Sequence, residues 1–477
     1  MRYLLIFIYS FILLQGCKVP QKVTQDISLD LPEVFEMEEG EKETIANAPW
    51  QSFFADKNLQ AVIDTALVYN QDLRKTLENI RISQARLKAA RLGQLPELNA
   101  MAGASVRRFG DYTMDGVGNT DTNFSEFLPA DKRLPSPYPD FIVGAEFGWE
   151  VDLWGRLSGQ RKAAAARFLA SEEMLKSVRT WLVAEVAHQY FEMVGLDEEI
   201  EVLEENIELQ ELAFELSKDL KTSGKENQLA VDQFEAQMLN SKSLLIHKKR
   251  ELRTVELNLS ELTGRYPDNI ERTGLEPAFA KPRVISLGMP ADLLRLRPDV
   301  RRAEQELIAS QADVGVARAD FFPSLQLFGM AGFNAFEFSK LFLNPASSVY
   351  HLGAGLSAPI FSRRRIRSAY EEASASQKIA WLDYEQTVLK SYLEVLDMVN
   401  VYSTLEEQLE VKEQEVNVQK RSVENSNTMF SVGYANYLEV INSQSRALNA
   451  ELEYIELRRE QLQAIASLYR SLGGGWN

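Results

Sequence analysis

The side chains able to do chemistry in this chain are few and scattered. His188, His247 and His351 are its three histidines, and Cys17 is its one cysteine. No two of them stand at metal-ligand spacing, and a single cysteine can form no disulfide within the chain. No glycine-rich phosphate loop and no nucleophile–base pattern occurs either. A chain of 477 residues with 45% hydrophobic content is long enough to bury a large core. The residues therefore give no sign of an enzyme. A net charge of −17 argues against nucleic acid as a partner.

The one residue with an assignable reaction is Cys17. Arg2 supplies a short positive region, residues 3–14 are an apolar run too short to span a bilayer, and Leu14-Gln15-Gly16-Cys17 follows. Leucine three residues before a cysteine, with a small residue just before it, resembles a bacterial lipoprotein signal. There the cysteine becomes the new N-terminus and carries acyl chains, each buried methylene contributing roughly 0.8 kcal/mol of membrane affinity. Lys18 follows where aspartate would signal retention at the inner membrane, so the outer membrane is the expected destination. No cofactor is expected beyond this covalent lipid.

The elements that must position everything else come as repeats. Superposing Pro323 on Pro96 (323 − 96 = 227) aligns Asp299 with Asp72, Arg301 with Arg74, Gln311-Ala312 with Gln84-Ala85 and Leu325 with Leu98. The chain therefore reads as an internal duplication. Residues 18–48 are acidic and aperiodic, and are expected to be an extended arm. A first helix is expected to run to about Leu95, with Leu73, Leu77, Ile80 and Leu87 on one stripe. After Pro96 the period changes to two. Phe141, Val143, Ala145, Phe147, Trp149, Val151 and Leu153 alternate with Gly144, Glu146, Gly148, Glu150 and Asp152. That pattern suits a membrane-barrel strand, or one half-buried in a soluble sheet. Residues 110–139 have loop composition. Helices are expected over 156–221 and 228–262, broken at Thr222-Ser223-Gly224. The stretch 291–325 opens with a loop ending at Pro298. Strands are expected over 325–333 and 352–360, then a helix over 363–429, a turn at Ser431-Val432-Gly433 and a last helix with a 3.5-residue stripe. The register shift between halves falls by 20 residues across the hairpins, so the first hairpin has the longer loop.

Two hairpins give four strands per chain. Four strands cannot close a barrel, and open edges are excluded from lipid. Closure needs further copies, and three would give twelve strands, within the barrel range.

At this point the chain resembles the TolC-like outer membrane factors, in the lipoprotein branch that serves resistance-nodulation-division efflux systems. The residues that carry the resemblance are Leu293-Leu294 with Arg297-Pro298-Asp299 and Ala303-Glu304; Trp149 with Asp152-Leu153-Trp154-Gly155-Arg156; Gly433 with Tyr437-Leu438-Glu439-Val440; and Leu472-Gly473-Gly474-Gly475-Trp476. The resemblance covers residues 17–477. It implies an α+β membrane protein, a homotrimeric 12-stranded β-barrel continuous with a long α-helical coiled-coil tunnel in the periplasm. It implies passive export of toxic compounds, with a periplasmic adaptor protein and an inner-membrane transporter as partners. The expected divisions are a signal peptide over 1–16, an arm and the start of an equatorial region over 17–60, a first repeat over 61–264, a linker over 265–297 and a second repeat over 298–477. Gly224 and Gly433 would form the tips that meet the adaptor. Glu439 would line the periplasmic gate, with Asn442 where the family often has aspartate, and Asp232 and Gln233 at the matching place in the first half. Glu146, Glu150 and Asp152 would face the pore. The alternative is a non-channel lipoprotein with a structural coiled coil, which has no use for the alternating strands. A type I secretion exit is a weaker variant of the duct. Loop 110–139 would be the larger of two loops outside the cell. Nothing in the residues names the exported cargo.

Replacing Cys17 with alanine should abolish labelling by a radioactive fatty acid and leave the fold intact. Persistent labelling of the variant would refute the anchor.

Overall fold

The computed structural model describes residues 32, 47–275 and 290–476. Cys17, nearly all of the expected arm and part of the expected linker lie outside them. The elements are α1 (Trp50–Phe53), α2 (Lys57–Tyr69), α3 (Gln71–Leu92), β1 (Glu97–Arg107), α4 (Met114–Asn123), β2 (Tyr138–Val151), α5 (Arg156–Thr222) and α6 (Gln228–Thr263). They continue as α7 (Pro290–Leu296), α8 (Pro298–Ala319), β3 (Ser324–Ala335), β4 (Ser348–Ser357), α9 (Arg365–Ser431) and α10 (Tyr437–Ser471). The order α3-β1-β2-α5-α6 recurs as α8-β3-β4-α9-α10, without a counterpart of α4. The paired helices have 22 and 22, 67 and 67, and 36 and 35 residues.

The chain divides into two compact units, each drawing on both halves of the sequence. The first holds 82–168 and 306–380. Its centre is one antiparallel sheet in the order β1-β2-β3-β4. The register sets Leu98, Phe147, Gly329 and Leu352 in one row across all four strands, and Ala100, Ala145, Ala331 and Tyr350 in the next. Trp149, Leu327 and Ala354, then Val151, Leu325 and Leu356, continue that face. The opposite face carries Asn99, Glu146, Met330 and His351 in one row. Period-two alternation in every strand has thus produced a sheet with one apolar face. That face is open: Leu98 is 74% exposed, Leu352 76% and Tyr350 83%. No helix among the described residues is long and apolar enough to cross a membrane. At the end of the sheet the Trp154 indole N–H donates to the Pro323 carbonyl (2.7 Å), and its ring stacks on Phe322 at 4.6 Å. One tryptophan thereby ties the β2–α5 junction to the α8–β3 junction.

The second unit holds the described residues up to Arg81, 169–305 and 381–476. Its core packs Trp50, Phe54, Leu59 and Ile63 against Leu182, Tyr190, Met193 and Leu196 of α5, Leu259 of α6, and Ile455, Leu462 and Tyr469 of α10. The Asp56 carboxylate caps α2 through the Asn58 N–H (2.8 Å) and accepts from the Tyr190 phenol (2.7 Å) and the Thr273 hydroxyl (2.8 Å). Beside this core lies a buried charge centre. Arg297 forks onto Asp299 (3.0 and 2.7 Å), while its other nitrogen donates to Glu394 and to the Ser471 carbonyl, both at 2.8 Å. Arg470 binds the second oxygen of Glu394 (2.8 Å). The Arg297-Pro298-Asp299 motif is therefore a clamp holding the α7–α8 junction to α9 and to the end of α10.

Several sequence expectations need correction. The helix expected to reach about Leu95 ends at Leu92, and a break at Asn70 separates it from α2. Asn70 ends α2, then its carboxamide oxygen accepts from the N–H groups of Asp72 and Leu73 (3.0 and 2.9 Å) to start α3. Its amide donates to the Leu262 carbonyl (2.9 Å), so a tertiary bond stabilises the break. Residues 110–139 are not wholly loop, because Thr113 caps α4 through the Gly116 N–H (3.1 Å). The stretch before Pro298 is not a loop but contains α7. The fourth strand is Ser348–Ser357, so it starts earlier than expected and stops short of Pro359, which has no N–H for a ladder.

Arg297→Met should leave Asp299 without its cation, and Glu394 with Arg470 alone, in a partly buried site, a change that costs about 2–3 kcal/mol after solvent screening. It should lower the heat stability of the detergent-purified protein sharply. Burial opposes the charged form of Asp299, but the Arg297 bond outweighs it and holds that carboxyl below its ordinary value. Its contribution is full above the unfolded-chain pKa of about 3.9 and is lost as pH falls through the lower folded value. A wild-type acid-unfolding curve that Arg297→Met leaves unmoved would refute the clamp.

Candidate functional site

Three sets of residues could handle a transported solute or a partner: two helical turns, the helix starts that follow them, and the polar face of the sheet. The turns are built alike. Gly224 has φ 71° and Gly433 has φ 84°, a conformation open to glycine without steric cost. At the first turn the Gly224 N–H donates to the Lys221 carbonyl (2.9 Å) and the Lys225 N–H to the Leu220 carbonyl (2.9 Å). At the second, Gly433 donates to Phe430 (3.0 Å) and Tyr434 to Met429 (2.8 Å). These are the paired bonds of a Schellman cap. Three residues past each glycine an asparagine caps the next helix. Asn227 accepts from the Ala230 N–H (3.0 Å), and Asn436 from the Leu438 and Glu439 N–H groups (3.0 and 3.2 Å). Glycine punctuation marks the turns in the sequence but leaves the asparagines unnoticed. The repeated Gly-x-x-Asn spacing at 224–227 and 433–436 is the signal that could have found them.

Glu439 and Asn442 lie one turn apart on α10, both exposed. Glu439 is already engaged locally, since its carboxylate accepts from the Asn436 N–H (2.8 Å) and completes a capping box. Asp232 is exposed and accepts from the Gln228 amide (2.6 Å). Gln233 is half-buried, and its carbonyl oxygen has no hydrogen-bond partner among the described residues. With the asparagine caps aligned, Asn442 corresponds to Gln233 and Glu439 to Ala230. Asp232 is thus no positional counterpart of Glu439.

On the sheet, Glu146 sits in β2 between Asn99 and Met330. Glu150 is near the end of the same strand, and Arg156 grips its carboxylate with two nitrogens. Asp152 lies past the last residue of β2. Its two oxygens accept from the Leu157 and Ser158 N–H groups (3.0 and 2.8 Å) at the start of α5. Burial pushes this carboxyl up, but those N–H groups prevail and hold it below the ordinary range. Period-two alternation places Asp152 in the strand, whereas the following helix start, rich in unsatisfied donors, claims it.

Comparison with known proteins decides the family. The model of the family described as outer membrane efflux protein matches residues 62–265 and 289–474. This chain belongs to the outer membrane efflux protein family. It is 29% identical over 429 residues to the "Pyoverdine export outer membrane protein OpmQ" of Pseudomonas aeruginosa, covering 90% of this chain and 87% of that one. It is 23% identical over 476 residues to the "Probable outer membrane lipoprotein SilC" of Salmonella typhimurium, covering 99% and 98%. Among solved structures, that of the outer-membrane channel OprN superposes with a TM-score of 0.84 at 24% identity, covering 96% of this chain and all of that one, 100%. Membership locates the chain in the outer membrane.

Gly224→Val with Gly433→Val should strain each turn by about 1–2 kcal/mol and speed amide hydrogen exchange at residues 225–228 and 434–437. Asparagine at the same two positions should leave exchange near wild type, because it tolerates the left-handed region. Equal exchange in both double variants would show that the caps do not hold the turns.

Proposed function

We propose that this protein is the outer-membrane exit duct of a tripartite efflux pump. In this reading three copies close twelve strands into a barrel, continuous with an α-helical tunnel in the periplasm, and the two halves of the chain derive from one duplicated unit. Cys17 carries acyl chains that anchor the mature N-terminus. A periplasmic adaptor meets the turns at Gly224 and Gly433 and hands over solute from an inner-membrane resistance-nodulation-division transporter. The chain supplies a passage and neither energy nor covalent chemistry. The carrying observation is the sheet. It has an open face that is apolar but for Ser348, and its rim strands β1 and β4 are each paired on one side only among the described residues. Lipid against that face and further copies at those edges meet both requirements. A structural coiled coil would leave the sheet without purpose. The 67-residue helices with capped turns suit a long periplasmic passage. OpmQ is named for pyoverdine export. The same polar wall serves no one cargo by its chemistry, so an organic solute and a metal ion both fit.

Glu439 is proposed to line the periplasmic aperture, with Asn442, Asp232 and Gln233 in the neighbouring turns. Three copies near an axis would favour cations. The test is planar-bilayer recording of the purified protein beside a susceptibility panel on a gene deletion. We expect cation-selective conductance from wild type, lower selectivity from Glu439→Lys, and a deletion strain more sensitive to at least one class of dye, detergent, antibiotic or metal salt. Because Glu439 also caps α10, Glu439→Gln controls for the cap: it keeps the acceptor and should change selectivity without loosening the helix start. Protein that is soluble without detergent and never conducts would overturn the duct reading. Unchanged selectivity in Glu439→Lys would remove this residue from the gate.

A further inference from the structure

The junction between β4 and α9 reads Ser362-Arg363-Arg364-Arg365-Ile366-Arg367. Arg363 and Arg364 have φ 51° and 62°, and among the described residues they are the only non-glycine residues with positive φ. The first half makes the same strand-to-helix junction with Gly155, which directly precedes α5 at φ 77°. Arg364 directly precedes α9. Glycine adopts this backbone freely and arginine does not. The second half thus places cationic side chains where the first half uses the unstrained residue, in a chain whose net charge is −17. Strain retained at a surface turn points to a role beyond folding.

The neighbours indicate that role. The apolar face of β4, with Leu352 and Leu356, runs directly into Ile360 and Phe361, which are 95% and 85% exposed. The arginines come next. Arg364 and Arg367 share one carboxylate, Glu371, at 3.8 and 3.0 Å. Arg363 and Arg365 pair with no carboxylate among the described residues. In the first half, by contrast, Arg156 is neutralised by Glu150. Apolar strand face, exposed aromatic, then unneutralised guanidinium groups is the order of environments a strand meets on leaving a bilayer. A guanidinium fork matches phosphate oxygens two at a time.

We propose that Arg363, Arg364 and Arg365 form a binding site for the phosphate headgroups of anionic phospholipids, at the membrane surface where β4 ends. The inference rests on the outer-membrane duct reading. The occupant is a lipid and not an aqueous anion, because Ile360 and Phe361 present apolar area at the same edge, which an acyl chain covers and a free anion does not.

Native mass spectrometry of the detergent-purified full chain, titrated with phosphatidylglycerol or phosphatidylethanolamine, tests it, with bilayer conductance recorded on the same preparation. Wild type should retain phosphatidylglycerol in preference. Arg363→Gly with Arg364→Gly keeps the left-handed backbone and removes two cations, so phosphatidylglycerol affinity should fall about tenfold or more, with oligomer mass and conductance unchanged. Equal phosphatidylglycerol retention by wild type and variant would overturn the site. Displacement of the lipid by millimolar inorganic phosphate would overturn it in favour of an aqueous anion. A change of oligomer mass in the variant would overturn it in favour of a contact between copies. Conductance without any lipid preference sinks this inference alone, whereas a preparation that never conducts sinks the duct reading beneath it.

Discussion

A strand at the rim of a sheet leaves half of its backbone donors and acceptors without partners, and in hydrocarbon each such group costs several kcal/mol. β1 and β4 are rim strands of 11 and 10 residues, and the face they share with β2 and β3 is apolar but for Ser348 at one end of β4. Each condition alone has a common remedy. A soluble protein covers an apolar face with helices, and it blunts a rim with charge or proline. Here the face is open, and the rims carry alternating small and apolar residues suited to pairing. Further copies of the chain, as proposed, would complete the sheet at both rims. That requirement governs what the first unit can be and why the chain is not read as acting alone.

Inside the second unit the governing interactions are polar. Arg297 is 8% exposed and would be costly to bury unpaired, yet it meets two carboxylates and a helix-end carbonyl. The sequence motifs that carry the family resemblance turn out to be devices of this kind. Arg297-Pro298-Asp299 is a clamp, and Trp154 is a tie between two strand–helix junctions. The terminal glycines lie against Tyr469 and the Leu296–Arg297 backbone, where a Cβ at Gly474 or Gly473 would come within 2.3 and 2.8 Å. These residues fix the architecture, and architecture is what distant relatives at 23–29% identity share.

Much of the fold was legible because its signals are local. Period-two alternation located the sheet strands, and glycine punctuation located both turns. The failures share a different cause. The break at Asn70 depends on a bond to Leu262, 192 residues away, which no window of sequence contains. Asp152 continues the strand alternation without a fault, so only the competing demand of the α5 start moves it to a different role. Glu439 shows the limit for the candidate site. Its position beyond the turn was readable, but its place in the Asn436 capping box emerged only once the asparagine was recognised as a cap.

The turns at Gly224 and Gly433 are held by backbone hydrogen bonds on one side and an asparagine cap on the other. A Cβ at either glycine would meet nothing within 4 Å. The residues between, Lys225-Glu226 in one turn and Tyr434-Ala435 in the other, contribute no side chain to either device. They differ completely in charge and size while the turns agree in geometry. Structure and vocabulary are thereby uncoupled at these two points: the scaffold reads the glycine and the asparagine, and the two letters between them are free to drift at the pace of whatever surface they face.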